Sequence, residues 1–295
     1  MKLETAAEDL EPLPKYKNKT FVIKYGGSIM KSQKAIKEFI EDVKRLKNEG
    51  VNIVIVHGGG PMISSWLDKI GIETQFVHGL RVTDEKVMNV VQMVLSGMVN
   101  KELSLNLSIN GISAIGLSGV DGNLIKAQKK YIYKNGKKLD IGFVGEVSDV
   151  NDKMLTDFLK NNQVPVISPI GYDDNGNIYN INADYAASYI SSKIDADKLI
   201  ILTDVDGVYR DINDKDSLIP SLTLGMIEKY IDDGTIRGGM IPKMECCIDA
   251  IRKGTKMVHL VDGRKEHCLI NDLINNNGTS IIGEEEVELE CQKAM

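Results

Sequence analysis

The sequence predicts an α/β fold: an open, mainly parallel central sheet sandwiched by helices, arranged as two lobes on one continuous sheet. Three observations carry this. Apolar, β-branched runs at residues 20–25, 51–57, 112–117, 164–168, 198–203 and 256–261 are nearly continuous rather than alternating, as strands buried on both faces are. Helical stripes separate them, in the strand–helix order of a parallel sheet. Several runs stop at glycine clusters, and an open sheet of this kind receives ligands outside the carboxyl ends of its strands.

The elements follow in order. TFVIKY at 20–25 stops at Gly26-Gly27, and residues 32–48 then place apolar groups at 36, 39, 40, 43 and 46, a helical stripe. VNIVIVH at 51–57 breaks at Gly58-Gly59-Gly60-Pro61. Residues 84–110 read as helix, with Thr83 as the N-cap, and ISAIGL at 112–117 as a buried strand. Residues 124–147, rich in Lys and Tyr around Asn135-Gly136, carry a β-hairpin signal. A short helix at 152–160, a strand at 164–168 and a turn at Asn175-Gly176 come next. A helix at 184–194 leads to KLIILT at 198–203, which ends at Asp204-Val205-Asp206-Gly207. The last pair is a helix at 240–253, opening after Gly238-Gly239, and KMVHLV at 256–261, ending at Asp262-Gly263. No tandem repeat or low-complexity linker interrupts the series.

Bulk properties exclude several function classes. The 295 residues carry a net charge of −6, aromatic residues make up 5%, and the single Trp is Trp66. A nucleic-acid binder would show a basic face and rings for stacking, so none is expected here. No apolar stretch approaches the roughly 20 residues of a membrane span, and the acidic N-terminus lacks a signal-peptide core, so a cytoplasmic protein without membrane contact is expected. The Cys residues at 246, 247, 268 and 291 form no CxxC pair and the four His are scattered, which predicts reduced thiols and no protein metal site.

The chemistry begins at the glycines. KYGG at 24–27 and HGGGP at 57–61 put Cβ-free backbone at two strand ends, where N–H groups can approach an anion closely. GxxxxGK[ST] is absent and HGGGP lacks GxGxxG spacing, so neither a Walker loop nor a dinucleotide turn is present. An HGGG tetrad also lines esterase oxyanion holes, but no GxSxG elbow accompanies it. One such cluster is as readily a tight turn. Two in one chain favour anion binding.

Phosphoryl transfer asks for aligned reactants and neutralised charge more than for covalent help. Lys24, one residue before the end of a strand, suits that task, with a snorkelling side chain as the plainer reading. Lys243, at a helix start that disfavours cations, suits an anionic ligand. Asp184, after Asn180-Ile181-Asn182-Ala183, is equally an acid satisfying a helix dipole. Arg81 has the fork to take a carboxylate, or is a solvated surface group.

Taken together, KYGGS at 24–28, VIVHGGGP at 54–61, GLRVT at 79–83, NINAD at 180–184, TDVDGVY at 203–209 and GGMIPK at 238–243 say more. Over residues 20–283 this series resembles the amino acid kinase family, and GLRVT with NINAD resembles its N-acetylglutamate kinase branch. The resemblance implies ATP-dependent phosphorylation of the γ-carboxylate of N-acetyl-L-glutamate, in arginine biosynthesis. It implies that Lys24 neutralises the moving phosphoryl group, Lys243 steadies the leaving ADP oxygens and Asp184 holds both lysines. Gly27 and Gly59 would donate N–H bonds to phosphoryl oxygens, and Gly60 would line the acceptor pocket. Arg81 and Asn180 would bind the acceptor's α-carboxylate region. Thr203, Asp204, Tyr209 and Gly239, with Lys243, would line the ATP site, with Mg²⁺ carried by the nucleotide. Residues 20–170 would form the substrate lobe and 171–295 the ATP lobe.

Residues 1–19 would be an extension, helical at 3–10, for contacts in a homo-oligomer, either a dimer or a hexamer. Arginine-inhibited hexameric members carry a Tyr where this chain has Pro12, with Tyr16 closer in. At the C-terminal end His267 and Gly278-Thr279 are kept, but Asp272 replaces the usual Glu. Arginine feedback is therefore not implied, and nothing in the sequence speaks to a PII-type partner. The competing readings are a related kinase acting on aminoadipate or glutamate, free or carrier-bound, and a non-catalytic amino-acid sensor on the same fold.

Overall fold

Continuous apolar runs become strands of a mainly parallel, helix-flanked sheet in the computed structural model, which describes residues 13–27, 29–134, 136–275 and 277–284. The proposed helix at 3–10, Pro12 and Ser28 lie outside those residues. The order begins β1 (Thr20–Tyr25), α1 (Gln33–Asn48), β2 (Asn52–His57), α2 (Gly60–Lys69), β3 (Phe76–Val77) and β4 (Leu80–Arg81). It continues with α3 (Glu85–Gln92), a π-helical turn (Met93–Val99), α4 (Asn100–Ile109), β5 (Ala114–Ser118), β6 (Ile125–Lys134) and β7 (Lys137–Val150). Next come α5 (Asp152–Lys160), β8 (Val164–Ser168), β9 (Ile170–Tyr172), β10 (Ile178–Ile181), α6 (Ala183–Lys193) and β11 (Lys198–Thr203). The chain closes with β12 (Ser221–Thr223), α7 (Leu224–Asp232), α8 (Met240–Arg252), β13 (Met257–Asp262), α9 (Cys268–Asn275) and β14 (Thr279–Ile282).

Ile53–Ala186 forms one compact unit, and residues 13–52 together with 187–284 form the other. In the first, β2 and β5 both run parallel to β8. All five residues of β8 are buried, which is why its sequence shows no alternation. β6 and β7 make the hairpin expected at Asn135-Gly136, joining at Lys134 and Lys137, and close a small barrel with β9 and β10. Ile132, Ile141 and Val144 form a core there against Val77, Leu80 and Val82. Each such side chain contributes roughly 1.5–3 kcal/mol by burial, and together they fix the strand that carries Arg81.

The long helical segment after β4 starts one residue later than the sequence suggests. Asp84, not Thr83, is the N-cap, its carboxylate accepting from the Val87 N–H at 2.8 Å. Thr83 is buried instead, with its hydroxyl turned to other partners: it donates to the Arg81 carbonyl at 2.8 Å and accepts from the Asn180 amide at 3.3 Å.

In the second unit β1, β11 and β13 run parallel, β14 lies antiparallel to β13, and β12 runs parallel to β14. α1 begins as expected at Ser32, whose hydroxyl caps the Ala35 N–H at 3.2 Å. It buries Ala35, Phe39, Ile40, Val43 and Leu46 along one face. α9 packs against both α1 and β13. No helix among the described residues is long and apolar enough to cross a membrane.

Candidate active site

The glycine loop of the first unit is built by steric demand. β2 ends at His57, the chain turns through Gly58 and Gly59, and α2 opens at Gly60 with Pro61 in its first turn. Proline is tolerated there because the first helical N–H has no intrahelical partner. A Cβ on Gly59 would stand 2.4 Å from Leu95 Cδ2 in the π turn, so with any other residue the leucine side chain or the loop would have to shift. The result is Cβ-free backbone at the positive end of a helix, a setting suited to an anion.

Arg81 closes the back of this loop. Its Nη2 donates to the Gly60 carbonyl at 3.1 Å and to Ser64 Oγ at 2.8 Å, and Nη1 donates to Thr74 Oγ1 at 2.8 Å. The Phe76 ring lies 4.6 Å from the guanidinium carbon. Burial lowers the Arg81 pKa, with Asp68 opposing, but a guanidinium stays charged throughout the working range. Asn180 joins the same network: its amide donates to Thr83 Oγ1 at 3.3 Å, and Thr83 in turn donates to the Arg81 carbonyl. Gly60, Arg81 and Asn180, widely separated in the chain, are thus linked through hydrogen bonds. Asp184 sits in the first turn of α6, where the Asn182 side-chain oxygen accepts from its backbone N–H at 2.8 Å.

A histidine and an asparagine that the sequence did not single out lie beneath the loop. His57 is fully buried, its Nδ1 2.9 Å from the Gly58 carbonyl and its Nε2 3.1 Å from Asn100 Nδ2. Burial depresses its pKa to about 4, with the Gly58 contact opposing. The same amide nitrogen, with two hydrogens to share among its neighbours, also lies 2.8 Å from the Val166 carbonyl in β8 and 3.2 Å from the Leu117 carbonyl in β5.

The second unit holds the remaining candidates. Lys24 is half-buried near the end of β1, and its Nζ lies 3.7 Å from where a Cβ on Gly26 would stand. That Cβ would also meet the Leu202 carbonyl oxygen at 2.8 Å, a backbone atom that cannot swing aside as a leucine methyl can, so glycine is demanded here. Gly27 follows in the turn, and Lys243 is half-buried in the first turn of α8, whose N-cap is Gly239. Thr203, buried at the end of β11, donates its hydroxyl to Asp204 at 3.3 Å. Tyr209 donates to Asp206 at 2.7 Å, and Lys265 lies 2.5 Å from the same carboxylate. Lys265 first, then Tyr209, lowers the Asp206 pKa, while burial and Asp206 push the Tyr209 phenol up to about 12. Arg264 forks onto Asp262 through Nε at 2.9 Å and Nη2 at 2.8 Å. Among the described residues no group of three or more His, Cys, Asp or Glu could hold a metal ion.

The amino acid kinase family model matches residues 19–262, most of the chain. The chain belongs to the amino acid kinase family. Within that family it is 59% identical to a Clostridium acetobutylicum protein named acetylglutamate kinase, over 100% of this chain and 99% of the relative. A crystal structure from Streptococcus mutans is 30% identical, covering 89% of this chain and 98% of that one with a TM-score of 0.74. Carbamate kinase from Giardia shares the amino acid kinase fold at 18% identity, with coverage of 90% and 99% and a TM-score of 0.64.

Of the residues expected to act in this amino acid kinase family member, Gly59, Gly60, Arg81, Asn180 and Asp184 belong to the first compact unit. Lys24, Gly27, Thr203, Asp204, Tyr209, Gly239 and Lys243 belong to the second. The sequence assigned no site role to Ser64, Thr74, Thr83, His57 or Asn100. Two of them lay within motifs that marked their neighbours as functional, His57 in HGGGP and Thr83 in GLRVT.

Proposed function

We propose that the chain transfers the γ-phosphoryl group of ATP to the γ-carboxylate of N-acetyl-L-glutamate, giving N-acetyl-L-glutamyl 5-phosphate and ADP, a step of arginine biosynthesis. The observation that carries this is the 59% identity, over the whole of both chains, to a relative named acetylglutamate kinase. Identity of that extent supports carrying the acceptor pocket and the phosphoryl clamp over together.

The roles follow from the chemistry. An acceptor carboxylate and a triphosphate repel each other, so cations must sit where negative charge gathers as the bond to the ADP oxygen breaks. Lys24 meets the moving phosphoryl group, Lys243 the leaving oxygens, and Asp184 orders the two ammonium groups. The N–H groups of Gly27 and Gly59 bond the equatorial oxygens. Gly60, Arg81 and Asn180 receive the acceptor, and their mutual hydrogen bonding supports that assignment. Thr203, Asp204, Tyr209 and Gly239 line the nucleotide site.

Mg²⁺ enters on the ATP phosphates rather than in a protein cage. Asp206 and Asp262 already carry cationic partners in Lys265 and Arg264, which fits a metal held mainly by nucleotide. The active form is a homo-oligomer, a reading supported by the exposed apolar side chains Met93, Leu105 and Ile109 on the long helical segment and Trp66 and Ile70 on α2. Light scattering that gives the mass of a single chain would contradict it.

Coupled detection of ADP over a panel of N-acetylglutamate, glutamate, aspartate and aminoadipate, with and without Mg²⁺, tests the function. Turnover that requires N-acetylglutamate is expected. Turnover with a free amino acid but none with the acetylated one would overturn the assignment.

A further inference from the structure

The loop that carries Gly59 is held from beneath by a single polar chain whose proton positions are decided by geometry. Asn100 Nδ2 is a donor and nothing else, and it lies 3.1 Å from His57 Nε2. Nε2 is therefore the acceptor and carries no proton. The ring's one remaining proton sits on Nδ1, which donates to the Gly58 carbonyl at 2.9 Å. Asn100 cannot turn away to release the ring, because the same amide nitrogen reaches the carbonyls of Leu117 and Val166. The ring and the amide are both fully buried, so no water competes for these bonds.

The Gly58 carbonyl and the Gly59 N–H belong to one peptide unit. That unit is planar, and no cis peptide occurs among the described residues. In a trans unit the C=O and N–H point in opposite directions, so a donor that fixes one fixes the other. A hydrogen bond on the carbonyl oxygen also polarises the peptide and makes its N–H a better donor. Glycine-rich backbone needs such restraint, since it has no side chain of its own to limit its φ and ψ. Leu95, on the π turn, also limits how the loop settles, since a Cβ on Gly59 would stand 2.4 Å from its Cδ2.

We propose that His57, set in its Nδ1–H tautomer by Asn100, is a positioning residue that aims the Gly59 N–H at the transferring phosphoryl group. This rests on the phosphotransferase reading given above, because it assigns Gly59 the task it has there. His57 itself touches neither substrate nor nucleotide and moves no proton during the reaction.

The test uses three substitutions in the full chain and one spectrum of the unmodified protein. His57→Leu removes both ring contacts, His57→Gln offers an amide near Nε2 only, and His57→Asn offers one near Nδ1. Loss of a single aimed donor costs about a hundredfold in kcat when the donor is deleted outright, so a misaimed one is expected to cost about tenfold or more. His57→Leu and His57→Gln should show that loss in kcat with KM for N-acetylglutamate within about threefold, and His57→Asn should recover most of it. A merely structural histidine would give no such split between Asn and Gln. Nitrogen NMR of the wild-type chain should find His57 protonated at Nδ1 and bare at Nε2. The opposite tautomer overturns the proposal even where a variant fails to fold. Wild-type turnover together with an unaffected His57→Leu variant overturns it alone, whereas a wild type inactive on every carboxylate acceptor brings down the functional reading as well.

Discussion

Arg81 Nη2 lies 3.1 Å from the Gly60 carbonyl oxygen, so the side chain expected to meet the acceptor's carboxylate also holds the loop that meets the phosphoryl group. On the proposed assignment, binding and positioning would share one guanidinium. Its other contacts, to Ser64 and Thr74, tie that fork to α2 and to the segment before β3.

Arg81→Lys is expected to fail at both tasks. An ammonium is a point charge and cannot span the Thr74, Ser64 and Gly60 acceptors together. Losing hydrogen bonds from a charged donor at a buried position should cost about 2 kcal/mol of stability. KM for N-acetylglutamate should rise as well. Urea denaturation and steady-state kinetics on one preparation check both, and an unchanged KM would remove Arg81 from the acceptor site.

Lys24→Ala and Lys243→Ala should each lower kcat by about a hundredfold or more, the usual cost of deleting one group that stabilises transition-state charge. Nucleotide and acceptor binding, followed by calorimetry, should weaken far less. A variant that keeps its kcat would show that its lysine is a snorkelling surface group after all.

Gly59→Ala should be destabilising because its new methyl would stand 2.4 Å from Leu95 Cδ2. Overpacking of this kind costs roughly 1–3 kcal/mol. In the background of Leu95→Ala the same change should cost little, since the clashing atom is gone. Thermal denaturation of the two single variants and the double variant measures that coupling. Additive losses would mean the loop does not rest on Leu95.

His57 should leave its mark on stability against pH. Its pKa in the folded chain is about 4, below the ordinary 6.5, so the unfolded chain binds the extra proton between those values. The stability it contributes is complete above pH 6.5 and falls away toward pH 4, by about 3 kcal/mol in all at 1.36 kcal/mol per pKa unit. Asp42 acts in the opposite direction over much of that range: burial raises its pKa to about 6, with His267 opposing, so its share of stability shrinks as pH rises from 4 to 6. The readout is therefore the difference between wild type and His57→Gln. That difference should flatten above pH 6.5, and a difference independent of pH would mean His57 is not buried neutral.

Much of the fold was legible because a parallel sheet writes itself as uninterrupted apolar runs, and β2, β8 and β11 are almost wholly buried. β3 and β4 were not, since two residues apiece leave no period to read. The glycine loops and the lysines beside them stood out because their residue types are odd at strand ends. His57 and Asn100 did not, because a lone His closing an apolar strand reads as core and its partner lies 43 residues away. The π turn did leave a trace. Val87, Val91, Leu95, Val99, Leu103 and Leu107 are all buried, and they recur every fourth residue where an α-helix repeats every 3.6. Such a stripe stays on one side only if the helix widens somewhere along its length.

That widened turn at Met93–Val99 uncouples two things a deletion usually destroys together. A chain shortened by one residue there would close to ordinary α geometry, with the segments on either side keeping their phase. What would go is the contact that Leu95 makes against Gly59, so such a protein should still fold while its glycine loop lies slack.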